Sequence, residues 1–277
     1  MYKIDFGGRS QNIQTIAGCS IGAIFALLLV LGYTVTEISI FSHYYFSLNN
    51  ILSLSSTLST SFSISDAIEL RKVISNLMTS KKCSPTFTFD DLYTKTGIRL
   101  IVAVTELDTM SMHYIGHEKC AIKTMNVLDA VMASSAVPLL FPGIEHASKT
   151  YVDGALLDNY PITLFDPTTT LGFLLKNVDS TSTEKTFFQS CHKIFKGLNY
   201  LPSVVQWSVL PNNYKKSTVI ITLPSNVSIL GDGNDNRDIV VRAGYKSMQD
   251  FIEGKNGVYE QSAIAPDYFK FILKDEL

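Results

Sequence analysis

Charge is scarce in this chain of 277 residues: Asp, Glu, Lys and Arg together make up 17%, against about a quarter in ordinary soluble domains. The 23 basic and 25 acidic residues nearly cancel, to a net charge of −2, and no run of five basic side chains occurs. A nucleic-acid partner needs a basic stripe or patch and is therefore not expected. Cysteine is equally sparse. Cys19, Cys83, Cys120 and Cys191 stand far apart with no Cys-x-x-Cys pair. Neither a zinc ribbon nor a disulfide scaffold is expected, and the spacing suits a reduced, cytoplasmic protein. The opening MYKIDFGGRS lacks the basic-then-apolar order of a secretion signal. Lys274-Asp275-Glu276-Leu277 spells the retention signal of the endoplasmic reticulum lumen, which leaves that compartment open for a chain that enters the secretory route.

Apolar residues are plentiful, at 46%, enough to bury a substantial core and to argue against disorder. The length suits one domain over 1–277, with a core at about 12–165 and further strands and a helix to 253. From Ser10 to Thr36 no charge occurs. The strongly apolar part, Ile21 to Leu31, is shorter than the roughly 20 residues of a membrane span, so a buried helix is expected. A span without chemistry is the rival reading of that segment.

The run Ile13 to Ala17 predicts a strand that Gly18 ends, with the apolar helix following. Residues 41–63 carry no Asp, Glu, Lys or Arg and read as a surface loop or short helices, a mobile flap or a plain irregular connector. A helix is expected from Asp66 to Met78, capped by Ser63 or Ser65, and another from Asn126 to Ser135, stopped by Pro138. Arg99–Thr105, Thr150–Val152, Leu171–Leu175 and Thr218–Leu223 read as strands, and Asp238–Glu253 as a closing helix. Strands alternating with helices predict a three-layer α/β/α fold on a mainly parallel sheet.

Gly18-Cys19-Ser20-Ile21-Gly22 fits Gly-x-Ser-x-Gly between a strand and a helix. This spacing sets a serine on a strained, exposed turn, with glycines where side chains would collide with the adjoining strand and helix. The serine hydroxyl then lies at a helix N-terminus, whose free N–H groups and dipole favour developing negative charge. A serine also needs a base. Asp153, at the end of a short strand before Gly154, is one candidate.

GCSIGA, followed by DAVMASSAVPLLFPG and YVDGALLDNYP, resembles the patatin-like phospholipases. The likeness extends through TFTFDDLYTKTGIRLIVAVTELDT and more loosely to GYKSMQDFI near the C-terminus. The resemblance implies the patatin fold. It also implies a Ser–Asp dyad, Ser20 as nucleophile and Asp153 as general base, with Gly18, Ile21 and Gly22 shaping the elbow and its oxyanion donor and Gly154 supporting the second motif. It implies a hydrolase of acyl lipids, of phospholipase A, lysophospholipase or neutral lipase type, that needs no metal and no cofactor. The substrate would be a phospholipid or other acyl lipid, met at a membrane or lipid-droplet surface by a peripherally bound enzyme. The family's glycine-rich oxyanion loop has only Gly7-Gly8-Arg9 as a counterpart here, and Arg9 to Gly18 is too short for a helix and a strand. The expectation is a chain that starts after that loop. It motivates a second reading, an inactive relative with a binding or remnant role.

His113 and His117 stand four apart but flank a glycine in MHYIGHEK, so a helical metal pair is not favoured. His192 would complete a Ser–Asp–His order, but SCHKIFKG reads as a helix. Asp158 and Asn159 are expected to shape a loop, and Tyr200 and Trp207 to pack in a core or to meet lipid.

Overall fold

The computed structural model describes residues 4–5, 10–11, 13–45, 67–177, 206–223 and 234–254. They fall into two compact units, 1–161 with 183–206 and 162–182 with 207–277. In the first unit a short antiparallel pair, β1 (Ile4–Asp5) and β2 (Ser10–Gln11), precedes β3 (Thr15–Cys19) and α1 (Ile21–Val30). Gly7-Gly8-Arg9 lies outside the described residues.

Strand β3 runs two residues beyond the expected Ala17, so Gly18 sits inside it and the turn falls at Ser20. Gly18 is glycine because α1 presses on it, and it does not end the strand. A Cβ there would stand 2.3 Å from the Gly22 carbonyl oxygen. Helix α1 is apolar on every side, and Ala23, Ile24, Ala26, Leu27, Leu28 and Val30 are buried, as in a helix enclosed by a protein core. No helix among the described residues is long and apolar enough to cross a membrane.

Helix α2 (Val35–Tyr45) extends into the stretch expected to hold a surface loop or short helices. Thr34 and Glu37 exchange side chain-to-backbone hydrogen bonds at 2.6 and 3.2 Å, a reciprocal cap that starts the helix. Residues 46–63 lie outside the described set. Helix α3 (Ile68–Ser80) buries Leu70, Ile74 and Met78 and starts at Ala67 with no side-chain cap. The expected caps, Ser63 and Ser65, are not among the described residues. Helix α4 (Phe89–Thr96) has a Thr88–Asp91 capping box and ends at Gly97, φ 72°. It was not expected, although both signals stand in the sequence.

Strand β4 (Arg99–Glu106) is the axis of the first unit, buried from its second residue to its last. Strand β5 (Ser111–Ile115) pairs with it antiparallel. Helix α5 (Val127–Ser134) follows, its N-terminus capped by the Asn126 side chain. Strands β6 (Ile144–His146) and β7 (Lys149–Asp153) form an antiparallel pair. The sheet is mixed: β3 lies parallel to β4, and β5 and β7 lie antiparallel to it. The second unit pairs β8 (Gly172–Asn177) with β9 (Thr218–Leu223) in parallel, has the short α6 (Asn212–Lys216) just before β9, and packs α7 (Asn234–Ile252) on β9. The α/β class expected from the sequence is what the structure shows.

The register around β4 positions the site. Val102 and Ala103 pair with both β3 and β5, so those two strands occupy opposite edges. Val104 to Glu106 pair with both β5 and β7, which puts β7 on the same edge as β3. Cys19, the last residue of β3, faces Ala103, and Asp153, the last residue of β7, faces Val104. Two strands from distant parts of the chain thus meet end to end against one uninterrupted strand. Both chains turn away from β4 at the meeting point.

Candidate active site

Ser20 stands where β3 gives way to α1, at φ 55° and ψ −132°. A non-glycine residue with positive φ is strained by about 1–3 kcal/mol, and the surroundings over-determine this one. Its N–H donates to Ser134 Oγ at 2.9 Å, its carbonyl accepts from Ser135 Oγ at 3.4 Å, and the same carbonyl takes the Ala23 N–H at 2.9 Å. Its hydroxyl donates to Asp153 Oδ2 at 2.7 Å, across 133 positions of chain.

Asp153 is fully buried. Its Oδ1 accepts the Ala155 N–H at 2.9 Å and faces the Cys19 thiol at 3.9 Å, while its own N–H donates to the Ala136 carbonyl at 3.1 Å. Burial pushes the carboxyl up to about 7, against the pull of the hydrogen bonds from Ser20, Ala155 and Cys19. A carboxylate held in low dielectric with few donors is a stronger base than one in water. Burial, with the charges of Asp153 and Asp158 behind it, also drives the Cys19 thiol well up, which keeps that neighbour neutral.

The two elbow glycines differ. Gly18 has no room for a Cβ, whereas a Cβ on Gly22 would meet nothing within 4 Å. The expected collision at Gly22 is therefore corrected: that side of the turn is open. Gly154 is needed as glycine, since a Cβ there would fall 2.4 Å from the Ala103 carbonyl oxygen and push Asp153 off β4. Among the described residues no acceptor takes the Ile21 N–H, the first orphan donor of α1. No acidic side chain occupies the first turn.

Sequence reasoning assigned no role to Ser134, Ser135 and Ala136, although they sit in the quoted DAVMASSAVP segment. These consecutive residues, at the C-terminal end of α5 and just past it, hold the backbone of both Ser20 and Asp153. Asp158 shapes the following loop, as expected: it accepts from Tyr114 at 2.5 Å, from the Tyr160 N–H at 3.0 Å and from Gln206 at 2.6 Å. Burial and the bond to Asp158 push the Tyr114 phenol upward. His113 lies on β5 against Glu106 at 3.1 Å, and His117 lies past Gly116, so the two share no helix. Trp207 is buried. His192, the alternative third member of a triad, and Tyr200 lie outside the described residues.

The chain is similar to known proteins in sequence and, separately, in fold. The chain is 27% identical over 160 residues to "Probable lipid hydrolase 463L" of Invertebrate iridescent virus 6, a match covering 56% of this chain and 53% of that one. The chain thus spans about half the length of that relative. It is 25% identical over 266 residues to an uncharacterized protein of Acanthamoeba polyphaga mimivirus, covering 86% of this chain and 82% of the other. The fold is similar to that of VipD from Legionella pneumophila, with a TM-score of 0.55 at 14% identity, over 88% of this chain and 61% of that one. The patatin-like phospholipase profile matches residues 6–166, more than half of the sequence. The chain belongs to the patatin-like phospholipase family.

Proposed function

We propose that this protein hydrolyses carboxylic esters of lipids through Ser20 and Asp153, as a phospholipase A, lysophospholipase or neutral lipase. The observation that carries the reading is the 2.7 Å bond from the Ser20 hydroxyl, on its strained turn, to a buried carboxylate pushed up to about 7. The Ser20 oxygen attacks the ester carbonyl as its proton passes to Asp153 Oδ2. The tetrahedral oxyanion takes the N–H of Ile21 at the positive end of α1. Collapse expels the alcohol, which leaves with the proton from Asp153, and an acyl-serine remains. Water then attacks that ester, giving its proton to the same carboxylate, and the fatty acid departs as Ser20 recovers its hydrogen. No histidine, metal or cofactor takes part in these steps.

The substrate class sets the working place at a membrane or lipid-droplet surface, with the protein bound peripherally. Cys19, Cys83 and Cys120, free among the described residues, support a reducing, cytoplasmic setting. A second reading, a non-catalytic binding relative, draws on the sparse Gly7-Gly8-Arg9 segment, because losing one oxyanion donor slows acyl transfer about 10²–10³-fold. Purified protein mixed with phospholipid vesicles or p-nitrophenyl esters separates the two. Release of fatty acid or nitrophenol that Ser20→Ala abolishes supports the hydrolase. Release that survives Ser20→Ala, or none from the wild type, removes it.

A further inference from the structure

Cys19, the last residue of β3 and the neighbour of Ser20, is buried among Ala103, Ala155, Met112 and Tyr114. Its thiol faces Asp153 Oδ1 at 3.9 Å, whereas the Ser20 hydroxyl takes Oδ2. Ser134, whose Oγ accepts the Ser20 N–H at 2.9 Å, donates its own hydroxyl to the Cys19 sulfur. Ser20, Ser134, Cys19 and Asp153 thus close a ring of hydrogen bonds, and the thiol is its weakest donor. Of the bonds that oppose the effect of burial on Asp153, the thiol's pulls least, after those of Ser20 and Ala155. The thiol keeps its proton, because burial and then the charges of Asp153 and Asp158 drive it well up. Asp158 and Tyr114, the other titratable groups beside it, bond each other at 2.5 Å.

We infer that Cys19 is a positioning residue of the dyad: its weakly donating thiol occupies the Oδ1 side of Asp153, where an oxygen donor would hold the carboxylate's charge and blunt it as a base. The inference rests on the hydrolase reading and adds to it the residue that sets the pH range in which Ser20 is activated. A hydroxyl that donates to a carboxylate makes a short, charge-assisted bond and favours the ionised form. A thiol at 3.9 Å does so only weakly. The second position of Gly-x-Ser-x-Gly, which the motif leaves open, is therefore where the base is tuned.

The test is the rate of Ser20 labelling by a fluorophosphonate across pH, in the full chain, for the wild type, Cys19→Ser, Cys19→Thr and Cys19→Ala. The wild type is expected to follow a midpoint near 7. Serine and threonine bring a hydroxyl to the same place and move the midpoint down by about one pH unit. At pH 6 the wild type then reaches about a tenth of its plateau rate, and the hydroxyl variants about half. Alanine removes even the thiol's weak bond, and its midpoint stays at or above that of the wild type. Complete labelling at high pH identifies the folded variants, and threonine, suited to a strand, carries the hydroxyl if serine unfolds. A hydroxyl variant that labels completely with the wild-type midpoint overturns the proposal. So does an equal downward shift in Cys19→Ala, which would report loosened packing. A wild type that takes no label, or takes it at a rate independent of pH, removes the dyad itself, and the hydrolase reading goes with it.

Discussion

Asp153 is the residue where the demands of the fold and of the chemistry oppose each other. An ordinary aspartate ionises at 3.8, and burial holds this one near 7 in the folded chain. Its folded pKa thus lies above its unfolded one, so the native state binds the extra proton between those values. Stability is therefore greatest below about pH 4 as far as this group is concerned. It falls as pH rises toward 7, and the full cost of ionisation is present above that. The difference amounts to roughly 4 kcal/mol. Asp153→Asn keeps an acceptor for the Ala155 N–H and removes the charge. The variant is expected to melt several degrees above the wild type at pH 8, with the gap less than half as large at pH 5. Equal melting temperatures at both pH values would show that the carboxylate is not desolvated.

At the scale of elements, the elbow depends on how closely β3 and α1 approach each other. Gly18→Ala would force a methyl group into the Gly22 carbonyl at 2.3 Å, against backbone that cannot give way. Misfolding, or loss of several kcal/mol together with activity, is expected. Gly22→Ala meets open space in a helical conformation and is expected to leave the melting temperature unchanged or slightly raised. Thermal melts of the two variants check this, and a Gly22→Ala protein as damaged as Gly18→Ala would contradict the structure. The sequence named this turn because Gly-x-Ser-x-Gly is local. The boundaries it missed had local signals too: Thr34 with Glu37 starts α2, and Thr88 with Asp91 starts α4. By contrast, the hold of Ser134, Ser135 and Ala136 on the two reacting residues is a tertiary arrangement. Nothing in the spacing of small hydroxyl residues near a helix end announces which distant backbone groups they will meet.

Across the whole molecule, what matters is that β3 and β7 end against the same edge of β4. Resemblance paired Ser20 with Asp153 from two motifs, but the sequence alone gives no reason why they should touch. The pairing register does: consecutive residues of β4, Ala103 and Val104, receive the last residues of the two strands. The most direct measurement is the rate at which a fluorophosphonate modifies Ser20 as pH varies, in the wild type and in Asp153→Asn. In the wild type the rate should rise with pH about a midpoint near 7, as the carboxyl at that value gives up its proton. In the Asn variant it should be flat and about 10²–10⁴-fold slower. Equal, pH-independent labelling in the two proteins would mean that Asp153 does not activate Ser20, and the dyad would have to be abandoned.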